Sequence, residues 1–192
     1  SSRILTDKHD PYLEKYVYAL VLDGKVMQAI NLVKRNKDKK NSNFFDAQLL
    51  LIINSLKENN FEKAYNHLLD KNFKAQNNFD LAILETLKQY VYVFKEKMIL
   101  KNKKNFGQLS NISEAFQRCY LGDELTSSYF SNLINDPRGD YTRYVFFYLS
   151  HLIENKKIND AKLITKNINY INTTLLLSQG KSWIENENQE KL

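Results

Sequence analysis

Residues 10–36 read DPYLEKYVYALVLDGKVMQAINLVKRN, a sequence with two apolar stripes and a break between them. Asp10-Pro11 predicts a helix start, because aspartate caps free backbone N–H groups and proline fits the first helical turn. Apolar residues then recur at helical spacing until Asp23-Gly24, where glycine can take the left-handed conformation that ends a helix. A second apolar stripe with the same spacing follows directly. The stretch therefore predicts two short helices joined by a tight turn.

Three further stretches repeat this pattern of two apolar stripes and a break, namely 44–70, 109–134 and 141–168. The middle, 79–107, is irregular, since a strong first stripe is followed by a lysine-rich segment. We expect one degenerate repeat there, with a shortened or distorted second helix. Residues 171–186 have the pattern of one more first helix. The chain thus predicts about five helical hairpins plus a C-terminal helix.

A small residue occupies the same place in four of the predicted second helices. Ala64 follows Ala29 by 64 − 29 = 35 residues, and Ala161 follows Ser127 by 161 − 127 = 34. One hairpin cannot bury its own apolar stripes, so neighbouring repeats must stack to form a continuous core. We expect the small residues to mark the closest approach of adjacent helices. The fold prediction is an all-α superhelix forming a single domain over 1–192, as a fragment of a longer repeat protein.

The sequence resembles the tetratricopeptide repeat in its divergent bacterial form. Three segments that join a turn to a second helix carry the resemblance: LVLDGKVMQA at 20–29, NNFEKA at 59–64 and KKINDA at 156–161. The resemblance covers most of 10–168, although the family's tryptophan in the first helix and its closing proline are absent. It implies an α-α superhelix that binds proteins or peptides on a concave face lined by the first helices.

The resemblance also implies which residues line that face. Aligning the first helices gives inward positions that are mostly apolar or aromatic, and the clamp of lysine, asparagine and arginine that one family subset uses for terminal carboxylates is missing. The expected partner is therefore an unknown protein or peptide, and nothing in the sequence indicates the oligomeric state. The candidate partner-binding residues are Glu14, Tyr18, Leu49, Ile53, Phe116, Tyr120, Arg143 and Phe146.

No residue pattern indicates catalysis, a metal site or a cofactor. The three histidines, His9, His67 and His151, share no metal-ligand spacing. Cys119 is the sole cysteine, so no disulfide can form within the chain. It lies on an apolar stripe without a histidine nearby in sequence, and we interpret it as a core residue rather than a nucleophile. We therefore predict no catalytic residue, no metal site and no cofactor.

Charge leaves two alternative functions open. Lys and Arg number 28 against 22 Asp and Glu, a net charge of +6, with lysine clusters at 34–40 and 95–104. We interpret these clusters as solvated loops. A nucleic-acid-binding solenoid is the first alternative, although such repeats need the same polar reader in each unit. The second is an accessory domain of an enzyme whose catalytic part lies outside this chain. No run of about 18 apolar residues predicts a membrane span, and the expected compartment is the cytoplasm, or the periplasm if a leader was removed.

Overall fold

The structure, a computed structural model, describes residues 10–36, 44–70, 73, 75–140, 142–166, 182 and 185. All regular elements in these ranges are helical, so the predicted all-α class is confirmed for them. None of the described helices is both long enough and apolar enough to cross a membrane. The elements are α1 (Asp10–Leu22), α2 (Val26–Arg35), α3 (Phe45–Lys57), α4 (Phe61–Leu68), α5 (Asn78–Glu96), α6 (Gln108–Leu121), α7 (Thr126–Ile134), a 3₁₀ turn (Thr142–Tyr144), α8 (Val145–Glu154) and α9 (Ile158–Thr165).

Four turns between helices have the same hydrogen-bond pattern. In the first, the Gly24 N–H lies 3.0 Å from the carbonyl oxygen of Val21, and the next N–H lies 2.8 Å from that of Leu20. This pair of bonds is the Schellman end of a helix, which requires a left-handed residue. The predicted turns are confirmed, and their spacing repeats as 59 − 24 = 35 and 156 − 122 = 34. The left-handed residues of the four turns are Gly24, Asn59, Gly122 and Lys156.

The small residue of each second helix follows five positions after the left-handed residue. Ala29, Ala64 and Ala161 are fully buried, and each lies in the apolar cluster of its own hairpin. A larger side chain at these places would hold the two helices apart, which explains the recurrence of alanine. Ser127 differs because it is half-buried and its hydroxyl lies 3.3 Å from a ring nitrogen of His151.

The chain divides into two compact units, Ser1–Lys104 and Asn105–Leu192, and the single domain over 1–192 stays a prediction. In the first unit, helices α1 to α5 pack in sequence order, and α1 also contacts α3. Val17 and Ile30 belong to a cluster that α1, α2 and α3 share. Val91 belongs to a second cluster, which α3, α4 and α5 share. Helix α3 therefore contributes to two cores.

The second helix expected in the middle repeat is absent. Helix α5 ends at Lys97, which takes the left-handed conformation with φ of 54°. Residues 98–106 then form no helix, and the Lys104 N–H donates to the buried Glu85 carboxylate at 3.4 Å. The segment is rich in lysine and lacks an apolar stripe at helical spacing, so a helix there would have nothing to bury. The predicted C-terminal helix over 171–186 lies outside the described residues, apart from positions 182 and 185.

The second unit has one apolar core built by α6 to α9, which pack in sequence order. Phe130, Leu149 and Leu152 are fully buried at its centre. At its edge, the Arg118 guanidinium lies 2.6 Å from Glu114 and 2.9 Å from Asp123. It therefore links α6 to the turn that begins α7.

Three first helices bury a polar residue at the same place, five positions before the left-handed residue. These residues are Asn54, Gln117 and His151, with spacings of 117 − 54 = 63 and 151 − 117 = 34. Each has a polar side chain four residues away on its own helix within hydrogen-bonding reach, at 2.8, 2.7 and 3.3 Å. The repeat thus extends to buried polar positions as well as to apolar ones.

Candidate functional site

The candidate residues of the first unit lie on α1 and α3. Glu14 is exposed, and Tyr18 and Ile53 are 59% and 55% exposed. Leu49 is half-buried and packs against the cluster of α3, α4 and α5, so it is mainly a core residue. None of the described contacts joins the α1 pair to the α3 pair. The exposed apolar candidates of the first unit, Tyr18 and Ile53, are therefore separate residues rather than parts of a continuous site.

The second unit gathers its candidate residues around Phe116 of α6. The Phe116 ring centroid lies 4.9 Å from that of Phe147 and 5.9 Å from that of Tyr144, both edge-on. Phe146 contacts the Phe147 ring at 5.7 Å, and the Arg143 guanidinium lies 5.4 Å from the Tyr144 ring centroid. Three predicted residues, Phe116, Arg143 and Phe146, are thus connected through two that were not predicted. We call these five residues the aromatic surface.

Phe147 is the most informative member of the aromatic surface, because 45% of it is exposed while its ring contacts another helix. Tyr120, one turn beyond Phe116 on α6, is 50% exposed. The sequence alignment placed Phe146 on the binding face, yet Phe146 is half-buried and its neighbour is the more exposed ring. A spacing of four residues from Arg143 would have identified Phe147, since residues four apart share a helix face.

A second contact between α6 and α8 is polar. The Cys119 Sγ lies 3.9 Å from the His151 Nδ1, and the Ser127 Oγ lies 3.3 Å from the His151 Nε2. Only 8% of His151 is exposed. The sequence does not reveal this group, because the cysteine and the histidine are 32 residues apart and only helix packing brings them together.

The hydrogen bonds around His151 favour one tautomer of its ring. The Asn155 amide nitrogen donates to the His151 carbonyl oxygen at 2.8 Å, and the same nitrogen lies 3.3 Å from Nδ1. An acceptor at Nδ1 suits this arrangement, and we assign the proton of the neutral ring to Nε2. Nε2 then donates to the Ser127 hydroxyl, which the Lys157 ammonium also approaches at 3.4 Å. In this tautomer His151 cannot take a proton from Ser127.

The electrostatics of this group do not favour a nucleophile. Burial, reinforced by the Lys157 charge, lowers the pKa of His151. Burial, with a smaller contribution from Glu154, raises the pKa of the Cys119 thiol. Since the thiolate is the reactive form, a cysteine with a raised pKa next to a neutral imidazole is poorly activated. The cluster is better described as a hydrogen-bonded link between helices.

The two contacts lie on adjacent turns of the same helix pair. Phe116 and Cys119 are three residues apart on α6, and Phe147 and His151 are four apart on α8. Both spacings place the side chains on one helix face. We call Phe116–Phe147 the aromatic rung and Cys119–His151 the polar rung.

In the second lysine cluster, at 95–104, the structure places Lys95 against carboxylates of the same unit. Lys95 lies 3.1 Å from Glu62 and 2.7 Å from Glu96, with its ammonium over the Tyr65 ring at 5.4 Å. The hydrogen bonds to these two carboxylates raise the pKa of Lys95. The Lys95 ammonium therefore forms ion pairs within the protein, which compete with any contact to a phosphate. Most of the 34–40 cluster lies outside the described residues.

Comparisons with known proteins give no assignment. No protein-family model, curated protein or solved structure matches this chain. Among the described residues, no three His, Cys, Asp or Glu side chains converge in the way that a metal site requires. The resemblance to the tetratricopeptide repeat therefore stays a prediction, and the function has to be argued from the surfaces of the two units.

Proposed function

We propose that this chain is a protein- or peptide-binding scaffold of the tetratricopeptide type and that it has no catalytic role of its own. One observation carries the proposal: an aromatic surface joins two first helices of the second unit and leaves Phe147 45% exposed. An exposed aromatic ring that continues a group of half-buried rings is unfavourable in water and is typical of binding surfaces. The four identical turns and the recurring small residues support the repeat architecture.

The chemistry of the aromatic surface suits a partner segment with apolar side chains. The exposed part of the Phe147 ring, held edge-on against Phe116, offers apolar area on which aliphatic or aromatic side chains of a partner can pack. Buried aromatic anchors supply most of the free energy at such interfaces. Tyr18 and Ile53 are the exposed candidate residues of the first unit, and we propose them as partner contacts of that unit on its own.

Affinity capture tests the proposal with matched variants. The whole chain, the Phe147→Ser variant and the Leu163→Ser variant are used to capture partners from a lysate of the source organism, with bound proteins quantified by mass spectrometry. Leu163 is 68% exposed on α9 and lies outside the aromatic surface, so it controls for loss of any exposed apolar group. We expect Phe147→Ser to lower the captured amount of specific proteins at least about 30-fold, as for an interface anchor, and Leu163→Ser to leave it unchanged.

Two outcomes would contradict the proposal. Equal capture by both variants would show that the aromatic surface is not the binding face. A bound set that disappears after nuclease treatment would favour the nucleic-acid alternative, in which lysines contact phosphates. Circular dichroism and the unfolding midpoint of each variant establish that a loss of capture does not come from unfolding.

A further inference from the structure

The polar rung is chemically different from the rest of the interface between α6 and α8. The described core of the second unit is mainly apolar, with Phe130, Val145 and Leu149 fully or almost fully buried, and its buried polar side chains are Ser113, Gln117, Thr126 and His151. Within it, His151 is the one buried side chain whose charge can change near neutral pH. Its ring also packs against Phe130, with centroids 6.4 Å apart. A change in its protonation state therefore acts directly on the core.

Every partner of the neutral ring is matched to that state. Nδ1 accepts from the Asn155 amide at 3.3 Å and faces the Cys119 thiol at 3.9 Å, while Nε2–H faces the Ser127 hydroxyl. Protonation puts an N–H on Nδ1, which then points at the N–H of Asn155. The cysteine sulfur is only a weak acceptor and cannot replace the lost bond. The imidazolium would therefore lose its partner on the α8 side and gain little on the α6 side.

The charged groups around the ring reinforce this preference. The group that faces the ring from α6 is the Cys119 thiol, which is neutral. The group that faces it from α7 is the Ser127 hydroxyl, which carries no charge. From the start of α9, the Lys157 ammonium repels a second positive charge. Only Glu154, on the same helix as the histidine, favours the imidazolium, and burial with Lys157 outweighs it.

We propose that the polar rung makes the aromatic surface sensitive to pH, because a charge on the buried His151 ring breaks its bond to Asn155, displaces the ring between α6 and α8, and alters the adjacent Phe116–Phe147 contact. The two rungs are one helical turn apart on both helices, so a displacement at one is transmitted to the other through rigid backbone. That this displacement controls partner binding rests on the proposed function. The displacement itself does not, and it can be tested on the chain alone.

The test follows the ring signals of histidine and phenylalanine by NMR while the pH of the whole chain is lowered from about 7.5 to about 5, a range that brackets the ordinary histidine pKa of about 6.5. We expect the Phe116 and Phe147 signals to shift with the same midpoint as the His151 imidazole. In His151→Gln, which keeps a donor and an acceptor but cannot titrate, the same ring signals should stay constant. His67→Gln, which removes the other described histidine, should leave the shift intact.

The outcomes separate this inference from the proposed function. Ring signals that do not follow the His151 midpoint, or that shift equally in His151→Gln, would overturn it. If His151→Gln does not fold, His151→Asn places a carboxamide near the Nδ1 position and serves as the second variant. Where the rings shift as expected, capture of partners is repeated at both ends of the pH range. Capture that weakens at low pH in the wild type but not in the variant would show that protonation of His151 controls partner binding. Unchanged capture would refute the aromatic surface as the binding face without contradicting the displacement.

Discussion

The left-handed residues that end the first helices predict that glycine stabilises two equivalent turns. Removing glycine from one turn and introducing it at the other should therefore have opposite effects. Gly122 and Lys156 occupy the same place in consecutive hairpins, with φ of 64° and 59° and the same pair of hydrogen bonds. An L-residue in this conformation costs about 1–2 kcal/mol. Glycine avoids that cost but loses roughly 0.5–1 kcal/mol more chain entropy on folding. The net preference for glycine is therefore about 1 kcal/mol.

This difference predicts that Gly122→Ala destabilises the chain by about 1 kcal/mol and that Lys156→Gly stabilises it by a similar amount. A methyl group added at Gly122 meets no atom within 4 Å, so the expected loss comes from the backbone alone. The measurement is the free energy of unfolding in urea, supported by a thermal midpoint that moves roughly 2–4 °C per kcal/mol for a chain of this length.

Lys156→Ala is the matched control for this pair, because it removes the lysine side chain while keeping an L-residue in the left-handed conformation. We expect it to leave the free energy of unfolding nearly unchanged, since Lys156 is exposed. The reasoning fails if Lys156→Gly and Lys156→Ala have equal effects, or if Gly122→Ala causes no loss. Either result would mean that these residues do not end their helices in the left-handed conformation.

Three further predictions concern packing, capping and pH. Ala64→Trp should overpack the first unit and lower the free energy of unfolding by about 1–3 kcal/mol, whereas Lys63→Trp, at the exposed neighbouring position, should have little effect in the same urea titration. Asn77→Ala removes the side chain that accepts the N–H of residue 80 at 2.9 Å and should cost about 1 kcal/mol by the same assay, against no loss for the exposed Asn78→Ala. The folded state holds the pKa of His151 below its ordinary value, so the unfolded chain takes up the proton first as the pH is lowered. The free energy of unfolding should therefore fall as the pH drops below about 6.5. That part of the fall should be missing in His151→Gln.

The turns show how far residue type alone predicts this fold. Gly24 and Gly122 are recognisable as helix ends because glycine takes left-handed backbone at low cost, and Asn59 is the next-best residue. Lys156 carries no such signal in its chemistry. Its place follows only from the repeat, 34 residues after Gly122. The period of the sequence therefore held information that the individual residues did not.

Helix α3 shows where periodicity was insufficient. Its apolar spacing does not account for Gln48 and Ser55, which are buried although they are polar. A single stripe is expected when a helix packs on one side. Helix α3 contributes to two clusters, so buried and half-buried positions together extend around most of its circumference. The sequence pattern of one helix does not reveal how many neighbours it has.

The sequence predicts only part of the candidate site, because it places residues on first helices but does not give the rotation of each helix. Which residues lie on first helices follows from the repeat, and three of those named, Phe116, Arg143 and Phe146, do meet in the aromatic surface through rings that were not named. Whether Phe146 or Phe147 is the exposed ring depends on the rotation of α8 about its axis, which tertiary packing sets. The link from Cys119 to His151 depends further on the offset between two helices.

The repeated polar position explains how a pH-sensitive element arises at His151. Asn54 and Gln117 occupy the place equivalent to His151, and their hydrogen bonds run to uncharged or exposed groups on their own helices. At His151 two changes coincide: the polar residue is titratable, and the small residue of the preceding second helix is Ser127 instead of alanine. The hydroxyl and the Cys119 thiol extend the bonding from one helix to three. A buried network that is satisfied only in one protonation state loses stability in the other. The polar residue of the first helix forms a hydrogen bond within that helix at Asn54 and Gln117, whereas at His151 it forms a link between helices whose strength depends on pH.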